Sequence, residues 1–414
     1  SLSLYSKNQI FELTMLNVFP AKLNLDHFDI ILIHYTLPIG VMIEHYLGKK
    51  LIGLLTGYKG LKAVFLQDEY RQVNKIWENL KKLKIDILFS CVPESEINKV
   101  YPKNILPNLK VINVLTGYVP ISIKKIEIIP IKNRKIDVGY RSRKMPLWMG
   151  DLAYEKSMVA SEFKKRSYDS SLKLDFSTSE GDRLYGNDWR NFLLSCKTVL
   201  GVESGSSIFD FDGSIEKSVN DYQRKYPYAS YDEIKNKFLF KKNKLVKYNQ
   251  ISPRCFEAIA FRTPMILFEG SYSGIIKPGE HFIMLKKDFS NFDDVIKKLK
   301  DDDYLQHIAN NAYNQIGLDK KWSYKKFVNK IDDCLEVEFK KRKKIKINNE
   351  YTLNKFGLDV KSSFNYRMDR IIVLKLQSKI LGNKYLRKII FSIWEALPFA
   401  FQKKIRPFAK VFSR

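Results

Sequence analysis

Cysteine is scarce in this chain of 414 residues: there are 4, namely Cys91, Cys196, Cys255 and Cys334. They lie far apart, with no CxxC pair and no Cys/His cluster. That spacing argues against a disulfide framework or a zinc site and for buried thiols in a reducing compartment. Long apolar runs are also missing. No stretch of about 18 uncharged apolar residues occurs, so a membrane-spanning helix is not expected. No secretory signal pattern opens the chain, which begins at Ser1 rather than Met, and a cytoplasmic protein is the expectation. Acidic residues are outnumbered, 45 against 72 Lys and Arg. What the chain does hold is apolar and aromatic mass: 45% hydrophobic and 13% aromatic residues exclude a disordered polymer. The length suits two domains, each with its own core.

The net charge of +27 is unevenly spread. From Phe339 to Arg414 there are 20 Lys and Arg against 4 Asp and Glu, a net +16. This tail opens with Lys340-Lys341-Arg342-Lys343-Lys344 and continues with Ile, Leu and Phe at helical spacing, interleaved with Lys and Arg. Trp394 lies among them. Such a pattern suits an amphipathic helix in an anionic headgroup layer, where each basic residue contributes about 1 kcal/mol. Helices packed on the main body with a solvated basic face remain the alternative. Nucleic acid is not the expected partner, since neither an RNA-binding aromatic signature nor a helix-turn-helix pattern occurs.

The first third reads as strands alternating with helices. Apolar runs at Gln9 to Leu16, Asp29 to His34, Ala63 to Leu66, Asp86 to Cys91 and Lys110 to Leu115 predict strands. Tyr70 to Leu83 carries Val73, Ile76, Trp77, Leu80 and Leu83 on one helical face. Buried strands alternating with helices predict a parallel sheet, and ligands bind such sheets beyond the carboxyl ends of the strands. His34, Asp68 and Glu69 fall at those ends. His34 is a candidate base or hydroxyl-binding group, or else a histidine tying loops together. The acids are candidate bases, or helix caps.

A mixed-charge linker, Ile121 to Lys135, leads into a second α/β pattern. A strand ending in Arg141-Ser142-Arg143-Lys144, with Lys156 following, offers cations for a diphosphate. The small-residue loop Glu203-Ser204-Gly205-Ser206-Ser207 allows backbone N–H groups to approach an anion, or is merely a tight turn. Glu203, Asp210 and Asp212 also admit a metal reading, although the EF-hand order is absent. A helix beginning Ser252-Pro253-Arg254-Cys255-Phe256-Glu257 is followed by Thr263-Pro264 and a buried strand. The loop Glu269-Gly270-Ser271-Tyr272-Ser273-Gly274 comes next. A helix N-terminus favours phosphate, and a carboxylate accepts two hydrogen bonds from a ribose diol. Ser214 to Asn249 reads as an inserted helical hairpin with its tyrosines packed inward.

The run Phe256-Glu257-Ala258-Ile259-Ala260-Phe261-Arg262-Thr263-Pro264-Met265-Ile266 resembles the donor-binding core of GT-B glycosyltransferases, in particular the large family of retaining hexosyltransferases. Glu203-Ser204-Gly205-Ser206-Ser207 resembles the acidic-loop element of the same site. The likeness extends over residues 10 to 335 and is similar in layout to enzymes of bacterial surface-polysaccharide (capsule or O-antigen) synthesis. It implies an α/β, GT-B fold: two Rossmann-like domains facing a cleft, here residues 1–132 for the acceptor and 133–338 for the donor, plus the basic helical tail 339–414. It also implies that Glu257 holds a nucleotide ribose and that Arg141 with Lys144 or Lys156 neutralises the donor diphosphate. Ser273 and Gly274 would meet sugar or phosphate, with Ser204, Ser206, Arg254 and Glu269 in the same donor site. Glu203 joins His34, Asp68 and Glu69 as a catalytic candidate. The family's first glutamate, eight positions before the second, is Asn249 here, which leaves retention or inversion open.

The expectation is therefore a glycosyltransferase using a nucleotide-sugar donor, with no metal and no cofactor. Its expected acceptor is a lipid-linked glycan at the inner face of the cytoplasmic membrane. An enzyme of the same fold performing polyol-phosphate transfer or epimerisation is one alternative. A non-catalytic protein binding membrane or nucleic acid is another.

Overall fold

The computed structural model describes residues 2–13, 19–41, 43–119, 123, 126–242, 245–342 and 351–362. The chain divides into two compact units. One comprises the described residues among 2–90, 97–113 and 331–362, and the other those among 91–96 and 114–330.

The first unit holds a four-stranded parallel sheet in the order β1 (Ile30–Ile33), β2 (Leu61–Phe65), β3 (Ile87–Ser90), β4 (Lys110–Asn113). Every residue of β2 and β3 is buried, which is why both read as continuous apolar runs. Lys62 is the exception in β2. Its ammonium donates to the carbonyls of Leu55 and Tyr58 at 3.2 and 2.9 Å, and burial lowers its pKa. Helix α1 (Val73–Leu83) buries Val73, Ile76, Leu80 and Leu83, the stripe expected from their spacing.

A strand was expected over residues 9–16, but residues 9–13 are irregular and 14–16 lie outside the described residues. The chain just before them is tied down by polar groups. Ser6 Oγ, the amide of Lys7 and Asn8 Nδ2 all donate to the carboxylate of Asp332, at 2.7–3.1 Å. From the tail, only residues 339–342 and 351–362 are described; the sequence from 363 to 414, on which the amphipathic expectation rests, lies outside. The described piece, helix Leu353–Lys361, brings Phe356 against Phe11 with ring centroids 5.3 Å apart.

In the second unit five parallel strands lie in the order β11 (Ile283–Leu285), β10 (Met265–Phe268), β7 (Cys196–Gly201), β5 (Ile136–Arg141), β6 (Leu174–Ser177). Counted from β5, this is the doubly wound order 2-1-3-4-5. One apolar cluster, including Val138, Tyr140, Val159, Phe163 and Phe292, joins this sheet to helix α2 (Asp151–Arg166). A second cluster, with Phe256, Ile259, Tyr272, Phe282 and Ile316, joins it to helix α5 (Pro253–Ala260). A short antiparallel pair, β8 (Ser204–Gly205) with β9 (Asn249–Gln250), closes the inserted segment at its base. Gly205 has φ 116°, and a Cβ there would stand 1.8 Å from the Tyr248 carbonyl oxygen, so only glycine fits.

The insertion is helical as expected, with α4 (Ser214–Lys225) and a helical stretch from Tyr231 to Leu239. Its tyrosines do not all turn inward. Tyr231 is buried, whereas Tyr226 and Tyr228, on the turn after α4, are exposed. The metal reading of Asp210 and Asp212 also gives way to local roles. Asp210 accepts the amides of Gly213, Ile215 and Glu216, and Asp212 that of Ser214, which caps the start of α4.

Candidate functional site

In a doubly wound sheet the strand order reverses beside the first strand, and ligands bind outside the carboxyl ends at that point. Here the reversal lies between β5 and β7, whose ends deliver Arg141 and the loop beginning Val202-Glu203.

Glu203 is buried and fully engaged. One carboxylate oxygen accepts the amides of Ser271 and Tyr272 at 3.1 and 2.8 Å and the Ser271 hydroxyl at 3.2 Å. The other accepts Nδ2 of Asn249 at 2.6 Å. The loop it holds is unusual in its backbone: Tyr272, Ser273 and Gly274 have φ of 46°, 55° and 70° in succession. A left-handed conformation costs an ordinary residue roughly 1–2 kcal/mol, and bonds to a buried carboxylate offset that cost. Gly270 allows the approach, since a Cβ on it would lie 2.7 Å from the Glu203 carboxyl carbon. Ser273 Oγ accepts the amide of Ile251 at 3.1 Å, joining the loop to the segment that leads into α5.

Arg141 is occupied by its own fold. Its guanidinium donates to both oxygens of Asp175 at 2.8 and 2.9 Å and to the Asp175 carbonyl at 2.8 Å. It also lies over the Phe192 ring at 4.4 Å, with 13% of its side chain exposed. The pair fastens β5 to β6.

Helix α5 is capped by Ser252, whose Oγ accepts the Arg254 amide, and begins with Pro253. Arg254 on its first turn is exposed, donates to the Arg141 carbonyl oxygen, and lies 5.4 Å from the Trp189 ring centre. Three residues on, half-buried Glu257 accepts Trp189 Nε1 through one oxygen at 2.8 Å. Its other oxygen has no hydrogen-bond partner among the described residues. Burial raises the Glu257 pKa, opposed by the Trp189 bond and the Arg254 charge. Trp189, on helix α3 (Gly186–Ser195), was not anticipated; nothing in the order Asn187-Asp188-Trp189-Arg190 marks it as a partner of Glu257.

The remaining expected residues fall as follows. Lys144 is exposed beyond β5, and Lys156 lies within α2, where its carbonyl accepts the Tyr140 hydroxyl. Ser204 is in β8, while Ser206 is fully buried and donates to main-chain carbonyls, which makes it a turn residue. Glu269 is exposed at the end of β10 and accepts the Lys287 amide. Gly274 is exposed in the loop that Glu203 holds.

His34, Asp68 and Glu69 lie in the other unit. His34 and Asp68 are exposed just beyond β1 and β2, and Asp68 has φ 60°. Glu69 is completely buried; its carboxylate accepts the Ser90 hydroxyl at 2.7 Å and the Tyr101 hydroxyl in a shorter bond. Among the described residues no cluster of three His, Cys, Asp or Glu side chains is placed to hold a metal, and no helix is long and apolar enough to cross a membrane.

No protein-family model matches the chain, and no curated protein matches it in sequence. Among solved structures it is similar to an alpha-glucosyltransferase in complex with UDP and a 13-mer DNA containing a HMU base, at 13% identity and TM-score 0.45, over 75% of this chain and 80% of that one. TarM is similar at 14% identity and TM-score 0.34 over 67% of this chain, which spans half the length of TarM. Sucrose-phosphate synthase from Thermosynechococcus elongatus follows at 11% identity and TM-score 0.37, with 76% and 75% of the two chains covered. At such distances the function has to be argued from the site itself.

Proposed function

We propose that this chain is a glycosyltransferase that takes its sugar from a nucleotide-sugar donor held by the second unit. The observation carrying this reading is the pairing of Glu257 and Arg254 on one turn of α5. A half-buried carboxylate with one oxygen fixed by Trp189 and the other open is set to accept a sugar hydroxyl. The guanidinium of Arg254, an exposed residue at the helix N-terminus, where the peptide dipoles also favour negative charge, is set to meet a phosphate. Together they match a nucleoside diphosphate, with the ribose on Glu257 and the diphosphate toward Arg254.

The chemistry such a site supplies is charge stabilisation at the leaving group. Breaking the bond between sugar and diphosphate builds negative charge on phosphate oxygens, and a fixed cation lowers that barrier without itself moving. Arg254 is the cation in position, with Lys144 in the loop just beyond the strand end that carries Arg141. In this reading Arg141 and Glu203 are positioning residues. Arg141 sets the end of β5 through Asp175, and Glu203 sets the loop 270–274 in which Ser273 and Gly274 lie. His34 and Asp68 are the exposed candidates for taking a proton from an acceptor hydroxyl, and Glu69 supports its own unit from inside.

The finer reading is that the acceptor is a glycan, lipid-linked, in bacterial surface-polysaccharide synthesis. The basic tail 339–414 would carry the enzyme to the anionic inner face of the cytoplasmic membrane, and no metal would be required. Its support is the sequence likeness and the charge of the tail.

A thermal-shift titration with UDP, GDP, CMP and dTDP, with and without magnesium, tests the donor site. A shift by one nucleoside diphosphate that is lost in both Glu257→Ala and Arg254→Ala supports the reading. Absence of any nucleotide shift, with tight binding to anionic vesicles or RNA, overturns it.

A further inference from the structure

A cavity of about 450 Å³ lies within the second unit, between the N-terminal turns of α2 and the inserted segment 214–249. It falls in the size range of small-molecule clefts, which run from about 300 to 1,000 Å³. None of the nucleotide-site residues Arg254, Trp189 and Glu257 lines it.

Its ionisable lining is balanced: Asp151, Glu155 and Asp232 face Lys235, Lys247 and Lys287. Two of these lysines are already spent on the acids. Lys287 Nζ is 2.7 Å from Glu155 Oε1, and Lys235 Nζ is 2.8 Å from Asp151 Oδ1. The Tyr231 hydroxyl donates to that same Asp151 oxygen at 2.7 Å. The cavity therefore has little net charge with which to hold an ion.

Beside the exposed carboxylate of Asp232, two further acceptors remain. Glu155 is 93% buried, and its second oxygen has no partner among the described residues, yet it is not one of the fully enclosed atoms. It therefore reaches open space. Asn249, which also lines the cavity, must turn Nδ2 to Glu203, because a carboxylate can only accept, and this leaves its Oδ1 as an unspent acceptor. Unspent acceptors repel phosphate and carboxylate ligands and require a ligand that donates. Lys247 supplies a donor with no ion-pair partner among the described residues. An aromatic wall completes the set. Tyr154 and Tyr231 stack at 4.2 Å and 11°, and Tyr154 is 36% exposed.

From this lining we infer that the cavity is a binding site for a neutral sugar ring, which donates hydroxyl hydrogens to Glu155 and Asn249 and lays its C–H face on Tyr154. The site goes beyond the transferase reading, since it asks for a sugar whether or not a nucleotide is attached. The inserted helices, through Tyr231 and Lys235, form part of the sugar-selecting wall.

Saturation-transfer NMR on the full chain tests this, with methyl α-glucoside, methyl β-galactoside and N-acetylglucosamine as neutral probes and glucuronate as the anionic one. Neutral rings are expected to bind in the millimolar range, with ring C–H protons most strongly saturated. Tyr154→Ala and Glu155→Gln should each weaken binding about tenfold. Two variants are used because Tyr154 is exposed, so that its truncation is expected to leave the fold intact, while Glu155 tests the buried acceptor. No signal from any neutral ring, preference for glucuronate, or binding unchanged in Tyr154→Ala overturns the proposal. A nucleotide shift that persists in Tyr154→Ala shows that the Glu257 site is separate, so failure of one reading is distinguishable from failure of the other.

Discussion

Asn249 donates its side-chain amide to Glu203 at 2.6 Å, and that one contact joins the base of the insertion to the loop holding Tyr272, Ser273 and Gly274. The relation suits an amide, not a second acid, at position 249. Two carboxylates at that separation would repel unless one took a proton. In this chain the acid comes from the loop after β7, and the residue of β9 is its donor.

Glu203→Ala should therefore destabilise the second unit by about 2–4 kcal/mol, since it orphans the amides of Ser271 and Tyr272 and leaves a left-handed loop unsupported. Glu203→Gln should cost about 1 kcal/mol. Its oxygen still accepts from the loop, and Asn249 can rotate to offer Oδ1 to the new amide. Urea unfolding followed by tryptophan fluorescence ranks the two. Equal costs would mean that the clasp is not what holds the loop.

The adjacent acids Asp68 and Glu69 separate cleanly. Glu69→Gln converts an acceptor of two hydroxyl bonds into a group that must also donate, inside a fully buried site, and about 1–3 kcal/mol of stability should be lost. Asp68→Gly should be neutral or stabilising by up to about 1 kcal/mol, because φ is 60° and the side chain is exposed. Denaturant midpoints of the two variants, moving in the same direction, would contradict the assignment of Glu69 as an internal strut.

Glu155 has its pKa raised by burial and pulled back by Lys287. Removing the lysine leaves a buried carboxylate with less support, so Lys287→Ala should destabilise by about 1–3 kcal/mol at neutral pH. The sign with pH follows. The raised folded-state value means that the folded form binds the proton more tightly than the unfolded form, so stability falls as pH rises through that window. Without Lys287 the value rises further. The deficit of the variant should thus shrink on acidification, as Glu155 takes up its proton. A deficit constant from pH 4 to pH 8, roughly the range over which such a shift acts, would count against the ion pair.

Much of the fold was legible because apolar periodicity reports burial. The all-buried β2 and β3, the stripe on α1 and the Ser252-Pro253 start of α5 follow from local pattern. Polar partnership is a different matter. Glu203 and Arg141 stood out as acid and base in ligand-like loops, but whether a side chain faces a ligand or a neighbour depends on residues far away in sequence. Asp175 is 34 positions from Arg141, and Ser271 is 68 from Glu203. Trp189 holds Glu257 across a similar gap. The identity of a charged residue was thus readable, and its occupation was not.

Glu257 gives the sharpest test of the nucleotide site. With Trp189 Nε1 on one oxygen, a proton taken up by the carboxyl goes to the other and turns the proposed ribose acceptor into a donor. Because burial raises this pKa, the loss of acceptor capacity on acidification begins at a higher pH than for an ordinary glutamate. Nucleoside diphosphate affinity should fall as pH drops through that raised range, and Glu257→Gln should lack this component. Glu257→Ala should weaken binding by about tenfold to a hundredfold, from one or two bonds to a charged acceptor at about 1.5–3 kcal/mol each. A terminal phosphate titrates near about pH 6 on its own, so the informative quantity is the difference between wild type and Glu257→Gln in calorimetric titrations at matched pH. Parallel affinity profiles would place the nucleotide elsewhere. A wild-type curve that converges on the variant at low pH would assign the ribose contact to Glu257.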